Sequence, residues 1–139
     1  QSVKKNPLST RIEGQFLDYD IWIPELHKSV EVKYDKRSET TGNIIIELEK
    51  NNKQGDILTT RADVWCIHTI DGFLWIKRMS IVECILREDY KEIKINNGRC
   101  ALIPLMTLYH YRLKDLDTYE IHPFKFCGSF LGDIYVVIR

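Results

Sequence analysis

The sequence predicts an α+β fold, and three observations carry that reading. Short β-branched runs alternate polar and apolar with a period of two, an Asp-Gly pair separates two such runs, and a single stretch has helical spacing. At 139 residues the chain is the size of one domain, expected over residues 1–139 and large enough to bury a core without disulfides or metal. Its 44% hydrophobic and 29% charged content excludes a disordered chain.

Taken in order, residues 1–15 are polar and read as a short arm or partial helix. Phe16 to Ile23 is strand-like, closed by Pro24. Glu25-Leu26-His27-Lys28 reads as a tight turn into Ser29–Tyr34, whose alternation predicts a second strand in an antiparallel hairpin with the first. Asp35 to Thr41 is a charged loop ended by Gly42-Asn43, a pair that tolerates positive φ. Ile44–Glu49 is a third strand, and Thr59–Asp63 reads as a short helical turn capped by a Thr. Val64–Ile70 and Phe73–Lys77 form the clearest hairpin, turning at Asp71-Gly72. Ser80 reads as the N-cap of a helix running to about Asp89, with Ile81, Val82, Ile85 and Leu86 as its apolar face. Cys100–Leu105 fits helix or strand, and Ile134–Ile138 is a last buried strand.

Twenty basic and twenty acidic side chains leave a net charge of zero, which excludes a protein that coats nucleic acid by bulk charge. No apolar run reaches about 18 residues, so no membrane span is expected. The four cysteines contain no Cys-x-x-Cys and read as reduced, packed thiols of a cytoplasmic protein. Cys66 and His68 share a strand face and hint at zinc, but core packing is the favoured reading. Trp22, Trp65 and Trp75 alternate on strands and are expected in the core.

The informative constellation is Asp20 followed by Glu31-Val32-Lys33. Residues two apart on a strand share a face, so Glu31 and Lys33 project together and Asp20 can reach them across the hairpin. Two converging carboxylates suit a hard divalent cation such as Mg2+, and the backbone carbonyl of Val32 is a further oxygen. Lys33 would orient a water or stabilise charge developing on a phosphate. Taken alone, Glu-x-Lys is common on solvated strands.

Asp20, Glu31-Val32-Lys33-Tyr34-Asp35, Thr41-Gly42-Asn43-Ile44, Glu47 and Thr59-Thr60-Arg61-Ala62-Asp63 together resemble the PD-(D/E)XK nuclease superfamily. Within it they look most like the small Holliday-junction-resolvase-like enzymes of phages and mobile elements. The resemblance covers about residues 17 to 78 and implies a central mixed β-sheet flanked by helices, restriction-endonuclease-like. It implies a Mg2+-dependent DNA endonuclease, with Mn2+ as a substitute, often dimeric and directed at branched or duplex DNA. By the same resemblance Asp20 and Glu31 are metal ligands and Lys33 the catalytic lysine. Tyr19 stands where the family has Pro, which makes Asp18 a competitor for the ligand role, and Glu13 is the candidate for an N-terminal helix Glu.

Glu47 is either the polar position of an edge strand or a group near the metal. Thr59, Thr60 and Arg61 are expected to bind phosphate from a helix start, or a Thr simply caps that turn. Asp63 is expected to anchor local backbone or to pair with Arg61. Lys36 and Arg37, just after the site, are the nearest cations for nucleic acid. The competing readings are a non-catalytic nucleic-acid-binding or assembly module with a nuclease-like fold, and a structural protein whose Glu31 and Lys33 merely pair on a strand face.

Overall fold

Period-two alternation is strictest on Asn43–Lys50, where buried and part-exposed residues alternate, whereas Val64–Thr69 is covered on both faces and buried almost throughout. The structure is a computed structural model that describes residues 7–12, 20–35, 38–88, 90–124 and 134–138. In chain order the strands are β1 (Pro7–Ile12), β2 (Ile21–Ile23), β3 (Lys28–Tyr34), β4 (Asn43–Lys50), β5 (Lys53–Gln54) and β6 (Val64–Thr69). They continue with β7 (Gly72–Lys77), β8 (Lys91–Ile95), β9 (Gly98–Pro104), β10 (Glu120–Phe124) and β11 (Ile134–Ile138). The helices are α1 (Ser38–Thr41), α2 (Asp56–Thr59), α3 (Arg78–Leu86) and α4 (Leu105–His110), and 3-10 turns lie at Pro24–Leu26 and Lys114–Leu116. None is long and apolar enough to cross a membrane.

A central four-stranded sheet has the order β2-β3-β6-β7. It is mixed: β2–β3 and β6–β7 are antiparallel, whereas β3–β6 is parallel. A second sheet, β5-β4-β9-β8, and a third, β1-β11-β10, are antiparallel throughout. This is the α+β architecture with a mixed sheet expected from the sequence, although strands supply much of the cover on that sheet.

Alternation along β6 sends Val64 and Cys66 to one face and Trp65 and Ile67 to the other. Trp65, Ile67, Leu74 and Ile76 pack against Ile44, Ile46 and Leu48 of β4 and against Ile81 and Cys84 of α3. On the opposite face Ile21, Ile23, Val30, Val32, Cys66 and Trp75 meet Leu116, Tyr119, Ile121 and Val137. The Trp75 indole donates to the Tyr119 carbonyl at 3.0 Å, giving this buried ring its polar partner.

Several boundaries differ from the sequence reading. Pro7–Ile12, within the expected arm, is a strand paired with β11. Thr69 pairs with Gly72, so the hairpin turns at Ile70-Asp71, with the Asp71 amide donating to the Thr69 hydroxyl. Gly72 instead opens β7 at φ +135, a conformation open essentially to glycine alone. Helix α3 starts two residues before Ser80 because the Arg78 amide already has an acceptor in the Asp63 carbonyl. Its buried face is Ile81 and Cys84, while Leu86 is exposed. Residues 100–104 belong to β9, and α4 follows. Trp22 is 37% exposed, since it alternates with the buried Ile21 and Ile23. Cys66, Cys84 and Cys100 are buried, and Cys127 lies outside the described residues.

Candidate active site

The β2–β3 hairpin places the first acidic group. Ile21 pairs with Val30, and the Asp20 amide donates to the Val30 carbonyl at 3.0 Å. Beyond that point the side chain takes over from the backbone: the Asp20 carboxylate accepts from the Val32 amide at 2.8 Å. In a ladder the N–H and C=O of one residue face the same neighbour, so the Val32 carbonyl lies along the edge that Asp20 occupies.

Val30 and Val32 fill the core on one face of β3, which leaves Glu31 and Lys33 together on the other. The parallel partners of those two are Trp65 and Ile67. The Lys33 ammonium stands 5.2 Å from the centre of the Trp65 ring, 3.5 Å from Glu31 and 2.5 Å from Asp56. Asp20 and Glu31 are within hydrogen-bonding reach of each other.

Three carboxylates therefore surround one ammonium in a half-buried place, and their acidities respond. Burial, then the Asp20 charge, push the Glu31 carboxyl up to about 7 against the pull of Lys33. Burial also raises Asp20, opposed by the Val32 amide and by Lys33. For Lys33, burial works to lower the ammonium. The hydrogen bond and charge of Asp56, with Glu31 and Asp20, outweigh it and hold the group above its ordinary value.

Asp56 is the residue that sequence reading missed, and Gly55 is the reason it sits there. A Cβ on Gly55 would lie 2.0 Å from the Glu47 carbonyl oxygen, so only glycine lets this turn lie flat on β4. Helix α2 then begins at Asp56 directly facing Lys33. The signal available in the sequence was the Gly-Asp pair ahead of Ile57, which reads as an ordinary polar turn.

The Thr-Thr-Arg segment closes α2 rather than opening it. Thr59 is its last residue, donating to the Gly55 carbonyl at 3.4 Å, and the expected phosphate site at a helix start is not formed. Thr60 does reach the site: its hydroxyl donates to Glu31 at 3.4 Å and accepts from the Ala62 amide at 3.2 Å. Arg61 is exposed. Asp63 is tied to β3 rather than to local backbone: its amide donates to the Ser29 hydroxyl at 3.0 Å, and that hydroxyl donates to its carboxylate at 3.3 Å.

Glu47 lines, with Lys33, Asp56 and Trp65, a cleft of about 130 Å3 beside the cluster. It pairs with Cys100 of β9 in the second sheet, and β5 pairs with β4 only at Glu49 and Lys50, so at Glu47 the strand has β9 on one side and, among the described residues, no paired strand on the other. The Trp65 indole nitrogen, in the wall of the cleft, is buried with no hydrogen-bond partner among the described residues. Asp35 is structural: its carboxylate accepts from the amides of Ser38 and Ile45 at 3.0 and 3.2 Å, tying β3 to β4. Gly42, at φ +71, ends α1, and the Thr41 hydroxyl accepts from the Asn43 amide at 3.1 Å, so Thr-Gly-Asn is a helix stop. Lys36, Arg37, Asp18 and Glu13 lie outside the residues whose side chains are described.

Among the described residues no three His, Cys, Asp or Glu side chains are grouped to hold a metal ion. A cation at this site would therefore draw on two carboxylates, the Val32 carbonyl and water, a ligand set that suits Mg2+. The donor chemistry fits: all are hard oxygens, and the two carboxylates are half-buried with too little positive charge around them. Cys66 and His68 are not such a pair, because Cys66 is fully buried in the core and His68 stacks on Phe73 at 4.3 Å.

No protein-family model, curated protein or solved structure matches the chain.

Proposed function

We propose that the protein is a Mg2+-dependent DNA endonuclease that acts in the cytoplasm, as a homodimer, on branched or duplex DNA. The observation that supports this best is the meeting of Asp20, Glu31 and Lys33 at one edge of β3, with excess negative charge in a half-buried cleft. Asp20, Glu31 and the Val32 carbonyl would hold the cation, whose chemistry is to make a bound water acidic and to polarise the phosphodiester.

The chain's own groups do the rest. Lys33 carries a fixed positive charge to the phosphate oxygens or to the attacking water, in a place where partial burial strengthens it. Thr60 fixes the orientation of the Glu31 carboxylate. Lys36 and Arg37, which follow Lys33 closely in sequence, are the cations assigned to the polyanion.

One observation favours a second reading, a non-catalytic nucleic-acid-binding or assembly module. Asp56 already engages the Lys33 ammonium at 2.5 Å and competes with phosphate for it.

Purified protein, offered linear, flapped and four-way DNA with Mg2+ or Mn2+, decides between the two. Cleavage that disappears in Lys33→Ala and in EDTA is the expected result. A DNA shift without cleavage under either metal selects the binding module, and cleavage surviving in EDTA removes the metal from the account.

A further inference from the structure

At its C-terminal end β3 turns two adjacent residues to opposite sides. Lys33 faces the cleft, and Tyr34 faces a larger concavity of about 660 Å3 lined by Tyr34, Asp35, Glu39, His68, Thr69 and Ile70. The two hollows share Tyr34 and Asp35 and so adjoin. The larger one has a floor of aromatic rings. His68 lies parallel on Phe73 at 4.3 Å, and Tyr34, 53% exposed, meets His68 edge-on at 5.4 Å.

Resting on the nuclease reading, we propose that this concavity receives one unpaired base of the DNA substrate, stacked on the exposed Tyr34 ring with His68 beside it, and so selects DNA with a single-stranded segment at the scissile point.

Three features point to a base rather than to phosphate or a peptide. The hollow has the volume of a site for a small flat ligand. Among the described residues its charged lining groups are Asp35 and Glu39, which repel phosphate, and both Asp35 oxygens are already taken by amides. Burial, with the nearby His122, lowers His68, so this ring is a neutral stacking surface at ordinary pH. A neutral, flat, apolar-faced group is what remains, and bases stack on aromatic rings whatever their sequence. Because His68 is already held on Phe73, little ordering is required when a base arrives. The shared wall at Tyr34 and Asp35 means that a strand with one base here passes its phosphate close to Lys33.

The test measures binding of two DNAs in Ca2+: a blunt duplex, and a fork of the same length with 2-aminopurine in its unpaired arm. Wild type is expected to bind the fork more tightly and to quench the 2-aminopurine. Tyr34→Ala should weaken fork binding about tenfold while leaving the duplex within about twofold, and Tyr34→Trp should restore it. Equal affinity of Tyr34→Ala and wild type for the fork overturns the proposal, as does equal weakening on both DNAs. Wild type that quenches the fork yet cleaves nothing with Mg2+ or Mn2+ supports the base pocket and sinks the nuclease reading. Wild type that cleaves fork and duplex alike, with Tyr34→Ala neutral, does the reverse.

Discussion

Two ion-pair networks in this protein set one cation among several carboxylates, and they differ in what surrounds them. Arg99, on β9, reaches Glu49 at 3.1 Å and Glu92 at 2.8 Å, with all three side chains more than a third exposed. Lys33, on β3, reaches Asp56 and Glu31, and the Glu31 side chain is only 16% exposed. Water screens the first network, so its unequal charge count costs little. The second carries Asp20 as well, and its surplus negative charge is half-buried, which is why Glu31 titrates near 7. Similar residue types thus make a surface brace in one place and a half-buried cluster with surplus negative charge, the proposed metal centre, in the other.

The largest difference is expected in catalysis. Lys33→Ala should lower the single-turnover cleavage rate by about 10^3, whereas Arg99→Ala should leave it within about twofold. Comparable losses in both would erase the distinction.

A slightly smaller effect is expected in metal-free stability. The folded state raises Glu31 from 4.5 to about 7, so it holds the proton more tightly than the unfolded chain does. That contribution is complete below the unfolded value and is lost as pH rises through the folded one. Urea unfolding in EDTA should therefore show stability falling by about 2–3 kcal/mol across that window. Glu31→Gln should flatten the curve, and Glu49→Gln should leave it unchanged.

The two close-packed glycines sharpen the same contrast. A Cβ on Gly55 meets the Glu47 carbonyl oxygen, and one on Gly98 meets the Glu49 carbonyl oxygen at 2.5 Å. Each Gly→Ala change should cost about 2 kcal/mol in unfolding free energy. Only Gly55→Ala displaces Asp56 and Thr60, so only it should reduce cleavage per folded molecule. Thr60→Val, which removes one hydrogen bond to Glu31, should slow cleavage about fivefold, or about 1 kcal/mol.

The hairpin that carries Asp20, Glu31 and Lys33 was legible because alternation is local: Val30 and Val32 must go inward, so Glu31 and Lys33 go outward together. The β6–β7 hairpin was legible for the same reason, apart from a one-residue shift at its turn. Asp56 was not legible, because its position depends on Gly55 lying flat against β4, a contact between segments that no periodicity encodes. Thr60 was placed near the site for the wrong reason, since α2 ends where the sequence suggested a helix begins. The strands β1, β5, β8 and β10 were missed because each is short and largely polar, so that pairing with a partner strand, rather than an apolar run, makes it a strand. Helix α3 was misplaced by three residues, its N-cap being Lys77 rather than Ser80, because its first amide is satisfied by Asp63 rather than by a capping side chain.

The measurement that bears most directly on the contrast is a Mn2+ titration followed by electron paramagnetic resonance. Wild type is expected to bind the ion saturably, and Asp20→Asn or Glu31→Gln to lose that binding while Glu49→Gln and Glu92→Gln keep it. Binding that survives in Glu31→Gln, or that falls equally with Glu49→Gln, would contradict the assignment of the β3 edge as the metal centre.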